Sequence, residues 1–346
     1  MQEPIELDKA LEQQRKGALL VDVRTPAEFA ETTIPGAINV PIFSNEERAQ
    51  VGTVYKQQGS KIARRLGVDL VAPKIPQIIS AIEAAQEGRK DPVIVFCWRG
   101  GMRSHAVCCF LNLAGIPARQ LIGGHKAFRR LVVDYFATEQ WQPIYVLRGL
   151  TGVGKTRVLH ALGKEDYPVV DLEGLANHRG SAFGNLGLAP QPSQKMFEAL
   201  LWSRLNQLTA APYLLTEGES LHIGRVVVPK RFHQAMQVQT SLWLSATLET
   251  RIKVILEEYP ARDQLRAQFE RPLLLLKERL GKKTVAEFCE LLQQGEWELL
   301  TRELMVRYYD PLYLHTLPEQ RIEVDLDPFP SGVRRVAEAL EKLTSS

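Results

Sequence analysis

Two successive α/β domains, the second a doubly wound parallel sheet, are the architecture this sequence predicts, on three observations. Pro92-Val93-Ile94-Val95-Phe96 is an apolar, strand-like run that ends in a cysteine and a glycine-bearing loop. Ile144-Tyr145-Val146-Leu147 is a second such run, leading into a phosphate-loop pattern and then a helix of apolar spacing. Strand-like and helix-like segments keep alternating after it, which in compact domains implies parallel strands joined by crossovers.

The first run opens the loop Cys97-Trp98-Arg99-Gly100-Gly101-Met102-Arg103-Ser104. Its glycines let backbone N–H groups turn inward toward the sulfur, and a helix expected to begin near Arg103 adds the positive end of its dipole. Both effects favour the thiolate, so Cys97 is the candidate nucleophile, facing a phosphate-sized ligand. A Cys-x5-Arg loop is long enough to encircle a tetrahedral oxyanion, which keeps a cysteine phosphatase open as an alternative. Against it, Phe96 precedes the cysteine, and no acid within the loop is available to protonate a leaving alcohol.

Gly149-Leu150-Thr151-Gly152-Val153-Gly154-Lys155-Thr156 satisfies the P-loop pattern in full and sits between a strand and the helix-like Arg157-Val158-Leu159-His160-Ala161-Leu162. Its N–H groups would cradle a diphosphate, Lys155 would supply a point charge and Thr156 could hold magnesium. Asp171 and Glu217 each follow a short apolar run and are expected at the carboxyl edge of the sheet, as magnesium-linked acids or as helix caps. Ser241-Leu242-Trp243-Leu244 is a further strand, and Glu249 to Glu258 a helix.

At 346 residues, 45% hydrophobic, 24% charged and formally +3, the chain has the composition of an ordinary two-domain enzyme. The boundary is expected between Thr138 and Pro143, giving domains 1–138 and 139–346. No apolar run is long enough to span a bilayer and no signal-peptide pattern is present. Cys108, Cys109 and Cys289 are expected to be structural, with neither a disulfide framework nor a structural zinc site, and a reactive thiol suits the reducing cytoplasm. From Arg225 to Lys283 twelve Lys/Arg face six Asp/Glu, a basic segment on a nearly neutral chain. Arg225, Lys230, Arg231, Arg279, Lys282 and Lys283 are its candidate contacts to a nucleic-acid phosphate backbone, with Trp243, Tyr259 and Phe269 as stacking platforms. The same segment could equally be a solvated helical face with its aromatics in the core.

Leu19-Leu20-Val21-Asp22-Val23-Arg24, Glu28-Phe29 and Ile34-Pro35-Gly36-Ala37-Ile38-Asn39-Val40-Pro41, with Gly123-Gly124 before a closing helix, resemble the rhodanese family over residues 1–138. Thr33 stands where that family often has histidine, and the cysteine loop is one residue longer than in small sulfur-transfer members. A rhodanese-like domain followed by a P-loop NTPase-like domain, with the cysteine loop, Gly149 to Thr156 and the stretch Asp171 to Gly184, resembles the tRNA 2-selenouridine synthase family along nearly the whole chain. Val51 to Gly59 and Gly67 also look like that family, as an insertion beside the cysteine loop. Glu219-Ser220-Leu221-His222-Ile223-Gly224 departs from it, with His222 in place of arginine.

The resemblance implies replacement of sulfur by selenium in wobble-position 2-thiouridine of tRNA, through an S-geranylated intermediate. The P-loop would then grip the diphosphate of geranyl diphosphate, with magnesium as an optional companion. Cys97 would take selenium from selenophosphate as a selenosulfide, with Arg103 and the loop amides holding the phosphate. No tightly bound cofactor is expected, and a selenophosphate-producing enzyme is an expected partner. An ATP-driven tRNA sulfurtransferase, a two-domain kinase or phosphatase and a non-catalytic RNA-binding module are the other readings, the last predicting that Cys97→Ala leaves function intact.

Overall fold

A computed structural model describes residues 2–89, 91–260, 262–314 and 317–345. The chain divides into two compact units, residues 1–138 with 198–200, and residues 139–197 with 201–346.

The first unit is built on four short strands, β1 (Leu20–Asp22), β2 (Ile38–Asn39), β3 (Val93–Phe96) and β4 (Ala118–Gln120). They pair in the order β2-β1-β3-β4, all parallel, so β1 and β3 are central. That position suits their composition, since Leu20, Val21 and every residue of β3 are buried, as strands covered on both faces require. Asp22 ends β1 and is buried with Arg24, whose guanidinium is bidentate on its carboxylate and also reaches the Thr32 carbonyl. Thr33 donates its hydroxyl to the same carboxylate at 2.9 Å, so threonine here serves local packing of the Asp22 corner. Between β2 and β3 lies a helical hairpin, Asn45–Gln58 and Ser60–Val71, followed by the helix Ile75–Gln86.

In the second unit β5 (Ile144–Gly149), β6 (Val169–Val170), β7 (Leu214–Glu217), β10 (Ser241–Ser245) and β11 (Arg321–Asp325) form one sheet. The order is β11-β10-β5-β7-β6, again parallel throughout, with β8 (His222–Ile223) and β9 (Val226–Val227) as a separate antiparallel hairpin. The central strand β5 delivers the P-loop to the carboxyl edge, where β7 and β6 also end. Val158, Leu159 and Leu162 of the helix Lys155–Gly163 and Val336 and Leu340 of Phe329–Thr344 seal the sheet. A second apolar cluster holds the helices Arg266–Leu275, Lys277–Gln294 and Trp297–Leu304 together around Phe269, Phe288 and Trp297. Tyr259 and Phe269 are buried there, which overturns their expected role as stacking platforms. They are core because Phe269 packs its ring against Phe183, Tyr259 and Trp297, closing that cluster. Among the other basic-segment residues, Arg251 is 4% exposed and paired with Asp310, so it adds nothing to a surface field.

Candidate active site

Cys97 follows β3 directly and is 3% exposed. Its Sγ accepts the Gly101 N–H at 3.3 Å and lies 3.2 Å from the Ser104 hydroxyl. The helix begins at Met102, one residue before the expected start, with Gly101 as its N-cap. Burial pushes the Cys97 thiol up, but hydrogen bonds from Ser104 and Gly101 and the charge of Arg103 more than offset it, leaving it below the ordinary thiol value. Cys108, on the next helix turns, has no such donors and burial drives it up to about 12, consistent with a structural thiol.

The loop's shape depends on residues far away in the chain. Gly100 has φ +63°, and a Cβ there would lie 2.5 Å from the Leu121 carbonyl, so the turn tolerates only glycine. Gln120 donates its amide to the carbonyls of Gly100 and Gly101 and to the Ser104 hydroxyl at 2.8 to 2.9 Å, tying those carbonyls down. His125 and Lys126 N–H groups hold the carbonyls of Cys97 and Trp98, and the Trp98 ring stacks on His125 at 5.5 Å. Arg103, the expected phosphate holder, is itself paired. Glu28, fixed by a capping box with Thr25, accepts from its Nη1 and Nη2 at 2.6 and 3.2 Å. Burial raises the Glu28 carboxyl, yet Arg103 and Thr25 outweigh it and hold the group below its usual range, so the ion pair persists at neutral pH. Guanidinium carries five donors, and this pair aims the remainder without consuming them.

At the second loop Gly154 takes the left-handed conformation, φ +93°, and Lys155 opens the helix after it. The Thr151 carbonyl is pinned by Arg251 Nε at 2.9 Å, itself locked on Asp310. Burial works against the Lys155 charge, but Tyr313, Glu219, Glu173 and Glu258 surround it and raise its pKa on balance. Those three glutamates escaped the sequence reading, which looked only at acids ending a strand.

Thr156 donates to Glu173 at 3.0 Å, and the Glu173 N–H donates to Glu217 at 2.8 Å. Glu217 is fully buried and its Oε2 has no hydrogen-bond partner among the described residues. Burial, then Asp171 and Glu173, push its carboxyl well above the normal range. An orphaned buried oxygen on a carboxylate linked to Thr156 through Glu173 is what a cation accompanying a diphosphate would satisfy. Asp171 is otherwise engaged. It caps the helix Leu172–Ala176 by accepting the Gly174 N–H at 2.7 Å and meets His160 Nε2 at 2.6 Å, the helix-cap alternative of the sequence. Among the described residues no group of three metal-type side chains is assembled.

Glu219 is pushed up to about 8 by burial and by Glu173, against the pull of Lys155. Its folded pKa thus lies above the unfolded value of 4.5, so it contributes stability that is full below that value and is lost as pH rises through about 8. Thermal unfolding of the wild type is therefore expected to shift downward from about pH 5 to about pH 9, with Glu219→Gln removing part of that slope. Parallel curves for the two proteins would refute this linkage.

The candidate tRNA residues are all exposed. Arg225 sits in the turn of the β8–β9 hairpin with His222 on the same hairpin, and Lys230 and Arg231 start the helix Lys230–Ala235. Gly281 breaks the helix Lys277–Gln294, at φ +80°, so Lys282 and Lys283 begin a new helical segment. No helix among the described residues is long and apolar enough to cross a membrane.

Comparison with known proteins places these two loops in a recognised pairing. Residues 142–343 match the family model of the tRNA 2-selenouridine synthase AAA domain, and residues 3–131 that of the rhodanese-like domain. The chain is 36% identical to a tRNA 2-selenouridine synthase of Hydrogenovibrio crunogenus, over 90% of this chain and 92% of that one. It is 33% identical to those of Nitrosomonas europaea and Bdellovibrio bacteriovorus, in each case over 88% of this chain and 90% of the other.

Proposed function

The chain belongs to the tRNA 2-selenouridine synthase family, and from that membership we propose that it exchanges sulfur for selenium in wobble-position 2-thiouridine in two steps, one at each loop. In the first, the 2-thiouridine sulfur attacks geranyl diphosphate held by the P-loop. In the second, selenium from selenophosphate, received at the Cys97 loop, displaces geranylthiolate from C2.

The observation that supports this reading is an apolar cavity of about 70 Å³ with Thr151 of the P-loop in its wall, lined by Phe183, Tyr259, Phe269, Trp297, Leu300 and Met305, with room for the first isoprene unit of the chain rather than the whole of it. A nucleotide base asks for polar partners, whereas a prenyl chain attached to a diphosphate asks for this lining. Lys155 and the loop N–H groups would then bear the charge of a departing diphosphate, with no nucleotide hydrolysis. Magnesium brought with that diphosphate would lie against Thr156, Glu173 and Glu217 and would neutralise the leaving group. The Cys97 loop supports the second step by combining a thiolate with donors suited to a tetrahedral anion. Its lack of a general acid, which argues against an alcohol-releasing phosphatase, is no handicap when the leaving group is a thiolate.

The reconstitution that tests this uses purified protein, 2-thiouridine tRNA, geranyl diphosphate and selenophosphate, added in turn and without ATP. S-geranyl-2-thiouridine should appear with the first donor and 2-selenouridine with the second. A strict ATP requirement with uridine thiolation would favour the sulfurtransferase instead.

For tRNA itself, Lys282 and Lys283 place cations at a helix start, where the dipole disfavours them unless an anion is near. Reversing Arg279, Lys282 and Lys283 to Glu is expected to weaken tRNA binding and to flatten log K against log salt, by about one unit for each phosphate no longer neutralised. An unchanged affinity and slope would move the tRNA surface to Arg225, Lys230 and Arg231.

A further inference from the structure

The first unit contains an apolar cavity that the two-loop reading leaves without a role. It has a volume of about 930 Å³ and lies between the helical hairpin Asn45–Val71 and the helix Met102–Leu113. Three facts point to a ligand rather than to loose packing. The helix Asn45–Gln58 has no buried residue although Val51 and Tyr55 belong to it, so its apolar face is only partly covered. Tyr55, Val68 and Met102 line the cavity at 61%, 62% and 60% exposure, an apolar patch that a stable fold ordinarily covers. Small residues on the hairpin, among them Ala49, Gly52 and Ala63, line the cavity and keep it open.

Its position says which ligand. Met102 and Arg103 line this cavity and also belong to the Cys97 loop, with Met102 directly after the Gly101 N–H that meets Sγ. Arg48, Lys56 and Arg64, which also line it, are exposed cations of the hairpin. An apolar space bordered by cations and continuous with the thiol loop fits an apolar chain attached to a nucleotide within RNA.

We propose that this cavity binds the geranyl chain of S-geranyl-2-thiouridine during selenium transfer, a subsite separate from the one at the P-loop. The inference rests on the two-step reading above. Seating the chain here fixes C2 of the uridine over the Cys97 loop and leaves the cations to the flanking phosphates. The transfer is redox-neutral and needs no selenosulfide: the Cys97 thiolate takes the phosphoryl group of selenophosphate and frees selenide, the C2–Se bond forms as that selenide attacks and the C2–S bond breaks, and water then releases phosphate from the thiol. The electron pair leaves with geranylthiolate, which takes a proton from water while the thiol's chain is still held. Burying a ten-carbon chain stabilises this complex in a way a short S-alkyl group cannot reproduce.

The test compares synthetic RNA carrying S-geranyl-2-thiouridine with the same RNA carrying S-methyl-2-thiouridine, each given selenophosphate and the full-length protein. The variants are Val68→Glu and Tyr55→Glu, both at exposed positions where a charge leaves the fold intact. Wild type should favour the geranyl substrate, and each variant should raise its KM by about tenfold or more while S-methyl conversion stays at the wild-type rate. Equal constants for variant and wild type on the geranyl substrate overturn the proposal. So does equal loss on both substrates, which would mark the groove as a contact common to both RNAs and not a seat for the geranyl chain. Because the S-geranyl group is supplied ready-made, a failure of the P-loop step leaves this comparison unaffected. A wild type that converts neither substrate would instead defeat the two-step reading along with it.

Discussion

Cys97→Ser is expected to stop selenium incorporation, with a fall of about a thousandfold or more, while S-geranyl-2-thiouridine continues to form and accumulates. The substitution keeps the size of the side chain, so the Gly101 N–H and the Ser104 hydroxyl retain a partner. What it removes is ionisation. The donors around Sγ and the charge of Arg103 bring a thiol down into a useful range, but the same environment leaves an alcohol protonated and a poor nucleophile. Geranylation uses the other loop and should be unaffected. Mass spectrometry of nucleosides from treated tRNA reads both products at once. Normal selenouridine from the serine variant would remove Cys97 from the mechanism, and loss of both products would mean that the two steps are not separable.

Lys155→Ala should slow geranylation by about 10² to 10³, since a point charge on the departing diphosphate matters most as the carbon–oxygen bond breaks. The same variant should still convert RNA supplied with a ready-made S-geranyl group, which also reports that the protein remains folded. That control is needed because Lys155 is a cation among Glu173, Glu219 and Glu258, and its removal takes away a charge that holds their carboxyls down against burial. The rate with geranyl diphosphate should not depend on added ATP. If the variant geranylates as fast as wild type, the diphosphate is held elsewhere and the P-loop serves another ligand.

Both loops were legible in the sequence because their chemistry is contiguous. Gly100 and Gly101, or Gly152 and Gly154, with the lysine, threonine or cysteine beside them, carry in a few consecutive positions the backbone freedom and the functional groups that an anion site needs. The strands feeding them are four to six residues of apolar composition, and they emerged as β3 and β5. The insertion around Val51 to Gly59 was also legible as a segment beside the cysteine loop, though not as one wall of a cavity.

The clamps on those loops had no local signature. Gln120 and Glu28 reach the Cys97 loop across separations of about 20 and 75 residues, and Arg251 reaches Thr151 across 100. Each is an ordinary polar residue until a parallel sheet sets its strand or helix beside the loop. Asp171 shows the converse. A strand-end acid looks the same in sequence whether it faces a cation or caps a helix, and only the placement of the Gly174 N–H and His160 decided for the cap. Arg251, Tyr259 and Phe269 likewise counted toward a basic, aromatic surface until helix packing buried them.

By itself the sequence determined the order of two α/β units, the candidate nucleophile and the two phosphate-type loops, because short-range backbone geometry fixes an anion site. Tertiary structure alone decided how Arg103 is aimed by Glu28, which glutamates surround Lys155, and that an apolar cavity adjoins the thiol loop. Those properties depend on which surfaces close against each other, and burial, charge balance and empty volume exist only once they do.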